Sequence, residues 1–550
     1  MLLKRRALVA AALLSGVSLA SAQRALAADP VPPAPPIAPI VVPAADEYRW
    51  TGIHIGIGGG YGGVVHTIDP GIYDYAPGGL FQVGGPGPYM DPLNIEGFDV
   101  FSIGNSLDMG GDGVIGTIEA GFDLQIGKRL VVGITGDYTV SRITSTISAW
   151  GDICYEPDDC DVPTVSDSPE VAFGFHTGNS FTVAGRFGLL TGPRTLVYGL
   201  AGYTWTGVYG VGSISSIPTG DISEATGTAY VGGFTFGAGI ETLLSERLSA
   251  KLEYRGTLWS VGGDTGGEQE GLFAFADSYV QTIRGTLSLR LGSGDAPLPD
   301  DTFDGEEHRW TGVHIGAGGG YGTVGYTVGA MAYDYDLGGL FQVGPAGLAF
   351  DVYAIGNSID FGGRGALASI SGGFDLQLGE RFVVGLVGDY TFSWIAASAS
   401  LYGEVCYETD GADDCDTATV SDEVELAFDI TTMNSWSIGG RAGFTVGERT
   451  LIYGVAAYTR QTLVAIASID SAPTGYLATS SDPIAVAGFT LGVGIETMLT
   501  QRLSYRLEYR GTHWAVGGQS DDPVQGFGAF AQSLEQTVRA TLALRFGGGN

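Results

Sequence analysis

Beyond its N-terminus the 550-residue chain has no uncharged apolar run of transmembrane-helix length, which would need about 18 residues or more. If the protein crosses a bilayer, it must do so with strands. Charge is scarce at 16% of residues, and basic charge is scarcest, with 26 Lys and Arg against 60 Asp and Glu and a net charge of −34. Between Arg49 and Lys128 there is no Lys or Arg, which excludes nucleic acid as a partner of that stretch. Cysteine is limited to four residues and histidine to six. Neither cysteine pair has a histidine nearby, so the four-ligand set of a structural zinc site is missing. His54, His66, His176, His308, His314 and His513 are scattered, and no nucleophile-base-acid constellation is legible among them. The expectation is therefore no enzyme, no cofactor and no metal centre.

Glycine is abundant, with 91 residues, and aromatics make up 11%. Each mid-helix glycine costs about 1 kcal/mol relative to alanine, which argues against a helical protein. The glycines of "YRWTGIHIGIGGGYGG" (48–63) can be forced into a dinucleotide fingerprint. That motif needs a helix starting on the glycines, whereas the residues after Tyr61 have a loop composition rich in Gly, Pro and Asp.

Residues 1–28 combine Lys4, Arg5 and Arg6, an apolar core and small residues at Ala25, Ala27 and Ala28, the layout of a cleaved signal peptide. Residues 29–47 form a Pro-rich extended spacer. In an exported chain, Cys154/Cys160 and Cys406/Cys415 read as two loop disulfides.

The opening phrase returns as "HRWTGVHIGAGGGYGT" (308–323), and "GFDLQIGKRLVVGITGDYT" is answered by "GFDLQLGERFVVGLVGDYT". The reading is an internal duplication, 48–292 and 308–550, with an acidic linker over 293–307. Within each copy the period is two: Leu248, Ala250, Leu252, Tyr254 and Leu258 alternate with Ser249, Lys251, Glu253, Arg255 and Thr257. Short connections such as "GKR", "GPRT" and "SER" alternate with long loops, the layout of outer-membrane barrels. Eight strands are expected per copy, at 49–65, 114–126, 130–143, 181–191, 196–209, 229–244, 248–260 and 279–292 in the first. The apolar faces, Leu252 and Leu507 included, are expected to meet lipid.

Alternation places a charge network in each lumen. In copy one Glu119, Asp123, Asp137, Glu241 and Glu253 face Arg186, Lys251, Arg255, Arg284 and Arg290. In copy two Asp375, Asp389, Glu496 and Glu508 face Arg441, Arg506, Arg510, Arg539 and Arg545. Buried charges persist only when paired, so filled lumens are expected, with the strand-one glycines making room for long side chains. The expected fold class is an all-β antiparallel transmembrane barrel, as two tandem eight-stranded barrels, because closure within a copy spans less chain. The alternative is one sixteen-stranded barrel.

The phrases "WTG.HIG..GGYG", "GGFDLQLG", "VVGLVGDY", "GRAGF", "GVGIETMLTQRLSYRLEY" and "TVRATLALRF" resemble the small outer-membrane β-barrel proteins, porin-family or surface-antigen, of Gram-negative bacteria. The resemblance implies location in the outer membrane, partnership with its lipid, its lipopolysaccharide and the barrel-assembly machinery, and a structural or surface role, with a general diffusion porin as the alternative. The chain departs from the family in its two copies, its long acidic loops and its "RFGGGN" end. Those loops offer ligands to divalent cations shared with lipopolysaccharide phosphates, or act simply as solvated segments.

Overall fold

The structure, a computed structural model, describes residues 50–75, 80–84, 95–155, 168–216, 220–266, 270–292, 301–302, 308–335, 340–343, 350–409, 422–470, 477–480, 483–519 and 525–547. The expected signal peptide, the spacer, most of the linker, Cys160 and Cys415 lie outside the described residues, as do the side chains of Cys154 and Cys406. The two expected disulfides and most of the acidic-loop segments therefore lie outside them too.

Among the described residues every regular element is a strand. The first half has β1 (Gly52–Asp74), β2 (Phe81–Gly84), β3 (Ile95–Ile126), β4 (Leu130–Tyr155), β5 (Glu170–Leu190), β6 (Thr195–Ser216), β7 (Gly220–Leu243), β8 (Leu248–Gly266) and β9 (Glu270–Leu291). The second has β10 (Gly312–Asp334), β11 (Phe341–Val343), β12 (Phe350–Leu378), β13 (Phe382–Ser393), β14 (Ile395–Thr409), β15 (Asp422–Val446), β16 (Thr450–Asp470), β17 (Leu477–Ser480), β18 (Ile484–Met498), β19 (Leu503–Gln519) and β20 (Gln525–Phe546). Several strands run well past the expected bounds; β3, for instance, starts at Ile95 instead of 114. The β3 extension is rich in Gly, Asp and Ser, whereas that of β5 continues an apolar outer face with Val171 and Phe173.

Alternation sorts the faces as elementary strand geometry requires. His54 is 1% exposed while its neighbours Ile53 and Ile55 are 50% and 52% exposed. Polar interiors and apolar exteriors invert the soluble pattern, which suits a barrel in lipid. Phe181 and Trp205 stack on the outside, and Trp436 and Tyr458 pack together there in the second half.

Two separately closed barrels were expected, and that fold class is corrected: the strands belong to one closed sheet. Toward the long loops, β3 leaves β4 and pairs with β14 from Ala399↔Leu107 to Thr409↔Ile95. Reciprocally, β4 pairs with β12 from Ile359↔Ile147 to Phe350↔Tyr155. The hydrogen-bonded circuit therefore runs β1, β3, β14, β15, β16, β18, β19, β20, β10, β12, β4, β5, β6, β7, β8, β9 and back to β1, a closure through sixteen strands. Toward the short turns, the same edges pair within a half: β3 with β4 from Asp112↔Thr144 to Ile126↔Leu130, and β12 with β13. There β1 also lies against β9, and β10 against β20. The sequence analysis treated the two closures as rivals; in the sheet, partner exchange joins them at different heights.

The exchange occurs where β3 and β12 touch at Met109↔Phe361. A Cβ on Gly110 would sit 2.7 Å from the Gly362 Cα, and one on Gly362 only 2.5 Å from the Gly110 Cα. Only glycine allows this backbone approach. Reciprocal carboxylates tie the crossing. Asp108 accepts from Thr67 Oγ1 at 2.6 Å and, across the halves, from the Ser398 backbone N and Oγ, each at 3.0 Å. Asp360 accepts from Thr327 Oγ1 at 2.8 Å and from Thr146 N and Oγ1 at 2.9 and 2.7 Å. Farther out, Tyr335 donates to Asp152 at 2.9 Å while Tyr75 donates to Glu404.

A second contact joins the halves at membrane level. Leu252 and Leu507, expected against lipid, pack instead with Ile240, Tyr254, Ile283, Ile495 and Val538 in one buried cluster. Alternation identifies the outward face but not which molecule covers it. Leu252→Ala is therefore expected to cost about 2–5 kcal/mol, the range for a cavity that its surroundings cannot fill. Leu124→Ala, at a side chain 45% exposed, should cost far less because lipid is as apolar as leucine and refills the space. Denaturant unfolding of the two variants in liposomes compares them directly.

At the short-turn end, Asp301 from the linker is 3% exposed beside Arg449, whose Nε lies 3.9 Å from its carboxylate and donates to its backbone carbonyl at 2.8 Å. Burial pushes the Asp301 carboxyl up to about 6, against the pull of Arg449. An acid raised in this way favours the fold while protonated, and that contribution is lost as pH rises through 6. Asp301→Asn should thus raise the melting temperature at pH 8, by an amount equivalent to about 3 kcal/mol, and change it little at pH 4.

Candidate functional site

The lumens toward the short turns are filled by charge. In the first half Asp123, on β3, accepts from Arg186 Nε at 2.6 Å and from Arg290 Nη2 at 2.8 Å. The same two arginines donate to Glu241 at 2.9 Å each, so two guanidinium groups bridge two carboxylates. Ser249 Oγ also donates to Glu241, at 2.6 Å. Deeper in the lumen, Asp137 receives Arg284 at 2.9 Å and also Arg255, which donates to Glu253 at 2.6 Å. Lys251 pairs with Glu119, and Tyr198 donates to Glu253 at 2.6 Å. All these groups are buried, and bidentate, multiply bonded pairing is what makes such burial tolerable.

Strand one explains its glycines here. A Cβ on Gly56 would lie 2.8 Å from Glu119 Oε1 and 2.6 Å from Ser288 Oγ. The bare backbone leaves that volume to the carboxylate and its partners.

The second half repeats the plan. Asp375 accepts from Arg441 Nε at 2.8 Å and Arg545 Nη2 at 2.6 Å, and Glu496 accepts from the same arginines at 2.8 and 3.1 Å. Asp389 receives Arg539 at 2.9 Å and also Arg510, which donates to Glu508 at 2.6 Å. The halves differ at the Lys251–Glu119 pair. Glu119 corresponds to Ser371, and Arg506 donates to the Ser371 hydroxyl at 3.3 Å. Sequence reasoning missed Glu535, which is 5% exposed, faces the same lumen and accepts from Gln461 Nε2. It restores a fifth acid against five bases. Its signal was available, since it shares the inward parity of Arg539 and Arg545 along β20.

Each short-turn mouth is capped by a tryptophan. Trp50 is 1% exposed, donates through Nε1 to the Pro193 carbonyl at 3.3 Å and lies under Arg290, whose Cζ is 4.6 Å from the ring centroid. Trp310 repeats this with the Glu448 carbonyl at 3.2 Å and Arg545 at 4.7 Å.

The histidines do not assemble a catalytic triad among the described residues. His54 Nδ1 lies 3.4 Å from Asp123 and His314 Nε2 3.7 Å from Asp375, both inside the plugs. His66 Nδ1 lies 2.6 Å from Ser278 Oγ, but its Nε2 meets no carboxylate there.

No family model matches the chain. It is 27% identical over 249 residues to a 31 kDa outer-membrane immunogenic protein of Brucella melitensis, covering 44% of this chain and 84% of the relative, and equally to the protein of that name from Brucella suis. Among solved structures, a Pseudomonas aeruginosa FadL homologue is 11% identical, covering 90% of this chain and 91% of its own, at a TM-score of 0.22. The Pseudomonas putida toluene transporter TodX is 9% identical, covering 90% of each chain, at the same TM-score of 0.22.

Proposed function

We propose that this protein, which resides in the outer membrane as a β-barrel, has a structural and surface role: its membrane tier is sealed, and its strand extensions lead into segments of acidic sequence. The observation that carries this is the pair of buried ion-pair plugs, Asp123–Arg186–Glu241–Arg290 and Asp375–Arg441–Glu496–Arg545, each beneath a tryptophan cap. A solute passing through either lumen would have to break several charge-assisted hydrogen bonds in a low dielectric. Matching registers, His54 opposite Arg290 and His314 opposite Arg545, support reading the halves as a duplicated unit. The acidic loops suit divalent cations shared with lipopolysaccharide phosphates, and no hydrolytic role is proposed.

A second reading, general diffusion, draws on the sixteen-strand circuit at the long-loop end, since porins of that strand number hold an aqueous channel. Planar-bilayer recording of the purified protein separates the two. Silence or rare small openings supports the sealed reading, and a steady large conductance contradicts it.

A further inference from the structure

On the long-loop side of the plugs the two lumens differ. In the first half a cavity of about 300 Å³ is lined by His66, Phe175, Val208, Trp259, Val261 and Ala276, among others. Its rings face one another: His66 lies 5.7 Å from Phe175 and 5.6 Å from Trp259, centroid to centroid. In the second half Tyr326 occupies the place of His66, each opposite the equivalent serine, Ser533 and Ser278. The larger ring packs 5.9 Å from Trp514 and joins a filled cluster with Leu463 and Val486. Tyr326 in place of His66 and Leu463 in place of Val208 thus fill in the second half the space that is open in the first.

The cavity is largely apolar, with Thr228 at its exposed edge and two buried polar groups, His66 and Trp259, in its wall. His66 is 2% exposed and Trp259 5%, yet His66 Nε2 and the Trp259 indole N–H have no hydrogen-bond partner among the described residues. Buried polar nitrogens left unpaired are costly; the equivalent Trp514 indole is unpaired among the described residues as well, and what marks Trp259 is the cavity beside it, from which an acceptor can reach its N–H. The indole can only donate. Its complement is an acceptor carried on an apolar body. A dry cavity of about 150 Å³ is enough for benzene, so this one has room for a substituted ring, at the small end of ligand pockets.

We propose that the lumen of the first half binds a small single-ring aromatic compound bearing an oxygen acceptor, such as a carbonyl, with its ring among Phe175, His66 and Trp259 and its oxygen at the Trp259 N–H. The full chain in phosphatidylcholine nanodiscs, labelled with 15N-tryptophan, is titrated with acetophenone. The indole N–H signal that disappears in Trp259→Phe is expected to shift and saturate. Ethylbenzene, of similar shape but without an acceptor, should bind about tenfold more weakly. His66→Tyr, which copies the second half, should abolish the shift while keeping the melting temperature. If that variant does not insert, Val208→Leu narrows the same space and should weaken acetophenone binding. An unmoved indole signal at saturating acetophenone, equal binding of ethylbenzene, or undiminished binding in the narrowed variant would overturn the assignment. Conductance is not part of this readout, so its failure is distinct from failure of the sealed reading.

Discussion

Replacing both Gly110 and Gly362 by alanine is expected to destabilise the protein by more than about 3 kcal/mol, because each new methyl meets backbone and not a yielding side chain. Overpacking of a core ordinarily costs about 1–3 kcal/mol per site, when neighbouring side chains can shift. Here the obstacle to each Cβ is the other strand's Cα, at 2.7 and 2.5 Å. Separation of β3 from β12 would release Asp108 from Ser398 and Asp360 from Thr146. The loss should appear as a lower unfolding temperature on heat-modifiability gels, with faster amide exchange in 396–409 and 147–155. A double variant that melts with the wild type would show that the strands do not cross there.

Asp123→Ala is the second large effect. It leaves Arg186 and Arg290 buried with Glu241 as their remaining carboxylate among the described residues. Removing one partner of a buried charge network typically costs about 3–5 kcal/mol, mainly because the stranded charge stays desolvated. Unfolding in urea should register that loss, and bilayer recordings should show openings that the parent lacks. Asp375→Ala should do the same in the second half, where Arg441 and Arg545 hold the equivalent places. A cost below about 1 kcal/mol would mean that the plug carries little of the stability.

Much of this was legible in the sequence. Period-two alternation put Lys251, Glu253 and Arg255 on the face opposite Leu252, and drew the lumen charges together without coordinates. What the pattern could not supply was the identity of neighbours. Leu252 reads the same whether lipid or Leu507 covers it. Nor could it reveal the exchange, since β3 offers the same edge to β4 and to β14, and the two ladders form equivalent backbone hydrogen bonds. The "MGGDG" segment at 109–113 falls between the expected strands 49–65 and 114–126, whereas it and its counterpart "FGGRG" at 361–365 are the crossing itself. Glu535 was overlooked although its parity matched Arg539.

The exchange of strands between the halves is tested most directly by cross-linking in a background with the four native cysteines replaced by serine. Ser148 lies opposite Ser358 in the exchanged ladder, whereas continuing the β3–β4 register beyond Asp112↔Thr144 would set it opposite Asp108. Directly opposed residues of antiparallel strands fall within disulfide range. The account predicts that Ser148→Cys with Ser358→Cys oxidises readily in folded, membrane-inserted protein, while Ser148→Cys with Asp108→Cys stays reduced. The reverse outcome would contradict it.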